Sequence, residues 1–531
     1  MAEFKLLPLK RLHIGYQRIS LYIYFLSLAL IASGLLFSRA MISIGFISFM
    51  ANWILEGNYS EKWHTLKSNR AGMIISAIFF IHLLGMLNTQ NISYGMGELR
   101  VKLPLLLPLF YGSSKKLIKA IKPDYFLYLF IAAALFASII SFLKFEYNYE
   151  YQTVEDLNRM ALVGENIQLS LFINLSIFSS LYFLIKQIHL SFFIKLLLLL
   201  NAIWQIIYLY LLNSLTGYIS FIILLIFSAL FVLKYKKRML FLLGFIIFSI
   251  GFLLTLYLQN EINKFDQVQK IDFKNLPKYT INGNEYFHDT VGKRTENGYY
   301  IDIYVCREEL KKEWEKVSYL DFTGPDRKGQ NLSETLIRYL SSKGLSKDSV
   351  GFHSLATKDI SFIENGCANF KYTNKFSLES RIYNILWQLN KYNKTGNATA
   401  QSVSQRIEFL KASLIIIKEN FWFGVGTGDV MDEFNQTLEK TGTKLEKKYR
   451  NRVHNQYIVA FTALGFFGFI IFLFITFYPF FKFKMWGNYL FITFYLIILI
   501  SYFTDNTLET QMGVSFFSFF YCLFCFSKSE K

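Results

Sequence analysis

Apolar runs of membrane length recur along this chain, and they decide what it can fold into. Roughly 20 helical residues, rising about 1.5 Å each, cross the hydrocarbon of a bilayer. Backbone in lipid must satisfy its own hydrogen bonds, which leaves helices or closed barrels, and these runs lack the alternation of a barrel strand. Runs at residues 19–37, 41–55, 71–87, 99–111, 125–143, 167–185, 190–212, 215–233, 239–257, 457–477, 489–503 and 514–526 predict an all-α polytopic membrane protein of about 12 transmembrane helices. The second run follows the first at once, so the start reads as a retained anchor rather than a cleaved leader.

The formal net charge is +18. In a chain of many spans, Lys and Arg first report orientation, because they gather in cytoplasmic loops. The N-terminal basic segment through Arg18, the cluster Lys115 to Lys122, the run 234–238, Lys482 with Lys484, and the tail 528–531 all belong inside by this rule. The acidic loop from Glu146 to Asp156, and the turn carrying Asp505 and Glu509, belong outside. No basic module with interleaved stacking residues appears, so nucleic acid is not an expected partner.

Three regions follow: a membrane region over 1–257 with about nine helices, a large polar loop domain over 258–453 on the outer face, and a membrane region over 454–531 with three. The loop is too long for a linker and too apolar in places for disorder. It opens with a strand-leaning stretch at 286–305 and continues with helical patterns at 332–340 and 380–389, an α(+β) domain. Its clearest helix is 402–420, where Ser402 and Gln405 suit a capping box and Ile407, Leu410, Leu414 and Ile417 recur at helical spacing. Cys306 and Cys367 both lie in this loop, and a disulfide between them stands beside the plainer reading of two buried thiols. Cys522 and Cys525, inside the last run, read as small apolar side chains. No metal-ligand cluster is visible, and no cofactor is expected.

The chemistry concentrates where the outer loop meets the tenth run. His454, Asn455 and Gln456 stand at headgroup level with no spacer before the apolar segment. An imidazole can hold or release a proton at neutral pH. Lys444, Lys447, Lys448, Arg450 and Arg452 crowd the approach, a pattern suited to an anionic headgroup such as phosphate or pyrophosphate. Arg406, near the start of the 402–420 helix, is the residue type that binds phosphate bidentately. The turn containing Gly424, Gly426 and Gly428 lacks a Walker lysine and a βαβ setting, so it reads as a tight return to the membrane. Ser214, Thr216 and Gly217 form a small polar turn at the same membrane level as His454.

Taken in order, these pieces resemble the O-antigen ligase family, whose domain is shared with O-antigen polymerases and bacterial protein O-oligosaccharyltransferases. The resemblance rests on the polar turn at 214–217, the arginine-started helix at 405–412, the glycine turn at 424–428, and His454–Tyr457 followed by Gly465 and Gly468. It is strongest from Ser402 to Gly468. The resemblance implies a class C glycosyltransferase-like membrane fold and a metal-independent, inverting transfer. The donor would be a glycan on undecaprenyl diphosphate, and the acceptor lipid A core or another glycan or protein hydroxyl. His454 would be catalytic, Arg406 and Arg452 would hold the diphosphate, and Asn455, Ser214, Thr216, Gly217, Gly424 and Gly426 would line the site. The family usually places arginine where this chain has Leu215, which leaves Arg100 or Lys102 as substitutes.

The expected setting is the inner membrane of a bacterium, with the site on the periplasmic face. Polymerase and protein oligosaccharyltransferase are alternatives of the same class. A flippase or transporter of lipid-linked sugars is the alternative of a different class; it calls for charged or broken helices at mid-membrane, whereas here the ionisable residues gather at one face.

Overall fold

The computed structural model describes residues 9–68, 70–148, 160–187, 189–233, 237–374, 377–482 and 485–526. The basic start before residue 9, the acidic stretch 150–156, residues 234–236, Lys484 and the tail 528–531, all used above for orientation, lie outside them. The described chain is mostly helical and falls into two compact units. The first comprises 1–143, 160–235 and 395–531; the second comprises 144–159 and 236–394. Residues 395–453 thus group with the apolar helices rather than with the preceding polar segment.

Among the described residues, eight helices are long and apolar enough to cross a membrane, nine if a pair bent by 114° at Arg39–Glu56 and Tyr59–Ser68 counts as one. Two shorter apolar helices, Tyr489–Thr504 and Gln511–Cys525, close the chain. This is a multi-pass membrane protein. The run expected to span at 99–111 is not one helix. Ile92–Lys102 ends in a 3-10 segment at Leu103–Leu106, and a new helix starts at Leu107. Pro104 and Pro108 explain the break, since each removes a backbone donor.

The core of the first unit surrounds Gln511–Cys525, which is buried on nearly every side. Small residues, Gly513, Ser515 and Ser518, let its neighbours pack closely around it. Its Phe516 and Phe520 rings meet Phe172 at 4.6 Å and Phe130 at 4.9 Å. By contrast, most of Leu215–Leu233 faces outward with Leu, Ile and Phe side chains, as a lipid-facing helix must.

The second unit packs Leu310, Trp314, Leu336, Leu340, Phe352 and Ile363 into a separate core. The strand-leaning stretch yields a two-stranded ladder, Thr295–Glu296 against Tyr299–Tyr300, and an isolated bridge between Phe287 and Val305. Helices cover the predicted patterns at Leu332–Ser342 and Leu378–Thr395. Cys306 and Cys367 are buried thiols and form no disulfide; Cys367 Sγ donates to Asn369 O at 3.2 Å.

Candidate functional site

His454 sits in an irregular segment that leads into the helix Gln456–Lys482. Asn455 starts that helix: its Oδ1 accepts from Ile458 N at 3.1 Å, the bond an N-cap residue makes. Its Nδ2 donates to Phe503 O at 3.2 Å, tying the segment to the last turn of Tyr489–Thr504, just before the turn that follows it. Gln456 is fully buried and clamps the same turn from the other side, donating to Glu509 Oε1 at 3.1 Å and accepting from Leu508 N at 2.8 Å. The imidazole is therefore anchored through the two residues that follow it.

That turn supplies a partner the sequence reading used only as a topological mark. His454 Nδ1 lies 3.4 Å from Asp505 Oδ1. Asp505 is 2% exposed, and its Oδ2 is buried with no hydrogen bond among the described residues. A buried carboxylate oxygen left unpaired is costly, so its presence beside an imidazole calls for a reason. A proton on Nδ1 would face the carboxylate and leave the Nε2 lone pair unshared.

Arg406 reaches this turn as well, donating from Nη1 to Thr504 O at 3.3 Å. Withdrawal from water lowers its pKa, against the pull of Asp505 and Glu165. Glu165 is in turn within Coulombic reach of Asp505, His454, Arg406 and Arg39. Ser43, one turn along from Arg39, is held by Gln511 Nε2 at 2.8 Å, so the start of Arg39–Glu56 also borders the turn. The helix that carries Arg406, Ser402–Glu419, begins one residue from where a capping box would place it: the N-cap is Gln401, with no side-chain cap bond.

Arg452 is differently placed. Its guanidinium bonds Glu98 through both terminal nitrogens, meets Glu509 Oε2 at 2.8 Å, and donates to Tyr94 OH. Lys102 Nζ joins them, 2.6 Å from Glu509 Oε2 and 3.3 Å from Glu98 Oε2. Two cations thus face two carboxylates in a buried cluster. Burial pulls the Arg452 pKa down, but Glu98 and Glu509 outweigh it and raise it above the ordinary value. For Glu509 burial pushes up, and Lys102 and Arg452 prevail, holding the carboxyl below the usual range. The charges of Arg452 and Lys102 are spent here, leaving neither free for a diphosphate. Arg100 is exposed and makes no ion pair among the described residues.

The two turns expected to line the site are both packed against neighbouring helices. Ser214 Oγ lies 3.1 Å from Ser170 Oγ and accepts from Gly217 N at 3.2 Å; Thr216 is buried. A Cβ on Gly217 would come within 2.7 Å of Ser170 Cβ, so glycine permits that helix contact. Leu215, standing where the family usually has arginine, is 44% exposed.

The glycine turn docks on a broken helix. At Gly465 the backbone leaves the helical region, with φ 64° and ψ −170°. The break frees Thr462 O and Ala463 O, which accept from Val425 N and Gly426 N at 3.0 Å each. In exchange, Phe466 N and Phe467 N donate to Phe421 O and Trp422 O at 2.7 and 3.4 Å. Gly424 and Gly426 both have positive φ, which glycine adopts without penalty. Thr427 N and Gly428 N are taken by Gly85 O and Thr89 Oγ1. Every amide of the turn is occupied, so none remains to cradle a phosphate.

No group of three or more His, Cys, Asp or Glu residues is spaced to hold a metal ion among the described residues. A search of curated proteins finds no match. A family model described as O-antigen ligase matches residues 368–473, a segment that holds Arg406, the glycine turn, Arg452 and His454. The chain therefore carries the domain shared by O-antigen ligases and O-antigen polymerases.

Proposed function

We propose that this chain is an inverting, metal-independent glycosyltransferase of the bacterial inner membrane. It moves a glycan from undecaprenyl diphosphate to an acceptor hydroxyl on the periplasmic face, with lipid A core as the acceptor. The observation that carries this reading is the His454–Asp505 pair at 3.4 Å, bordered by Arg406, with His454 and Arg406 inside the segment that matches the O-antigen ligase model and Asp505 beyond its end.

The residues divide the work as follows. The acceptor hydroxyl approaches His454 Nε2 and gives up its proton there as its oxygen forms the new bond to the anomeric carbon. The anomeric carbon–oxygen bond to the diphosphate breaks on the opposite face, which inverts the centre. Asp505 steadies the imidazolium that forms. Arg406, assisted by Arg39 across Glu165, meets the charge growing on the diphosphate. Arg452 does not contact the donor in this reading. It locks the segment bearing His454 to Glu98 and Glu509, a positioning role.

Reconstitution with lipid-linked glycan tests the proposal. The wild type should release undecaprenyl diphosphate and form the glycan–lipid A core conjugate. His454→Ala should lose roughly 10²–10⁴-fold in rate, the usual contribution of a positioned acid–base group. Donor carried unaltered across the bilayer, or full turnover by His454→Ala, would overturn the reading.

A further inference from the structure

The helix Val430–Lys440 turns two unlike faces to its surroundings. Phe434, Thr437 and Leu438 are buried. On that side Val430 and Phe434 share a small void with Arg452 and Val453, the two residues before His454. The other side carries Glu433, Asn435 and Gln436, and these line an open cleft of about 640 Å³. The helix Val430–Lys440 thus has the cleft on one side and Arg452 and Val453 on the other.

Its walls are held in place. Asp429 accepts from Gln90 N and Asn91 N at 2.7 Å each, and Asn91 Nδ2 donates to Asp432 Oδ2 at 2.8 Å. Asn88 Nδ2 donates to Gly424 O at 2.9 Å. Glu439, at one end, is engaged by Arg450 at 3.1 Å. Within this frame the side chains of Gln90, Glu433, Asn435 and Gln436 make no hydrogen bond among the described residues. A cleft of this size with unspent amides and a carboxylate is built for a ligand rich in hydroxyls, which these groups can both donate to and accept from. No Lys or Arg lines it, and its carboxylates repel an anionic diphosphate. The donor's charged end is thus excluded.

We propose that this cleft is the acceptor subsite and binds an uncharged saccharide stretch of the acceptor, whose terminal hydroxyl then reaches His454. The proposal rests on the glycosyl-transfer reading above. Two measurements on the full chain in lipid nanodiscs test it with the double variant Glu433→Gln, Gln436→Ala. The first titrates lipid-free core oligosaccharide directly, without donor. Wild type should bind it, and the double variant should bind at least ten-fold more weakly while eluting as wild type on size exclusion. The second varies lipid A core at fixed donor: the acceptor KM should rise at least ten-fold, with donor-lipid binding unchanged. Equal saccharide binding by the two proteins, or none by the wild type, overturns the subsite. Normal saccharide binding without any glycosyl transfer leaves the subsite standing and removes the proposed function instead.

Discussion

At the scale of residues, the candidate histidine stands out in the sequence, whereas the carboxylate that the fold sets beside it does not. His454 stood out because an imidazole, an amide and a cationic stretch coincide at a membrane boundary, all within one short stretch of chain. Asp505 lies 51 residues further on, in a turn whose two acids read only as orientation marks. The available signal was two carboxylates between short apolar runs, at the level where His454 was expected. Arg452 shows the same limit: its partner Glu98 is 354 residues away, so a cation that looks free in the sequence is neutralised in the fold. Two predictions belong here. Asp505→Asn keeps the shape but removes the charge that stabilises imidazolium, so single-turnover rates should fall roughly 10²–10⁴-fold with donor binding intact. Arg452→Gln uncovers buried carboxylates and should cost on the order of 3–5 kcal/mol of stability, read as a lowered thermal midpoint. Adding Glu98→Gln should recover part of that loss, since the cluster is again balanced.

At the scale of elements, composition and periodicity located most helices and misjudged their interruptions. The helix at Ser402–Glu419 falls where its apolar spacing placed it. The run at 99–111 fails as one span because two prolines cut it, a local signal that the count of apolar residues overrode. The break at Gly465 carried no such warning. Gly465 is one glycine in an apolar run, and its role appears only when the turn at 421–426 arrives to take up the freed carbonyls. A Cβ at Gly465 would collide with the backbone of Phe423 and Gly424, and the φ of 64° disfavours any side chain. Gly465→Ala should therefore cost on the order of 2–5 kcal/mol, from overpacking together with the left-handed backbone. Gly487→Ala, where a Cβ meets nothing within 4 Å, serves as the control and should shift the thermal midpoint little.

At the scale of the whole molecule, two units with separate cores invite separate stability measurements, and the second carries its own titrating group. Lys347 is 4% exposed and donates to Tyr300 O and Ile303 O at 2.8 Å each. Burial lowers its pKa from 10.5 to about 8, against the pull of Asp302 and Asp348. Below about pH 8 the lysine is charged in both the folded and the unfolded chain, and the fold bears the full cost of burying that charge. Between about 8 and 10.5 the folded form releases the proton while the unfolded form keeps it, so stability rises with pH across that window, by about 3 kcal/mol in all. Hydrogen exchange in Leu332–Ser342, a helix within this unit, should accordingly slow as the pH climbs, once the intrinsic rate is divided out. Lys347→Met removes the buried charge but leaves two carbonyls unsatisfied, at about 1–3 kcal/mol each, so the two effects nearly cancel at neutral pH. The variant should match the wild type near pH 7 and lose the rise between 8 and 10.5. A rise that persists in Lys347→Met would assign it to another group.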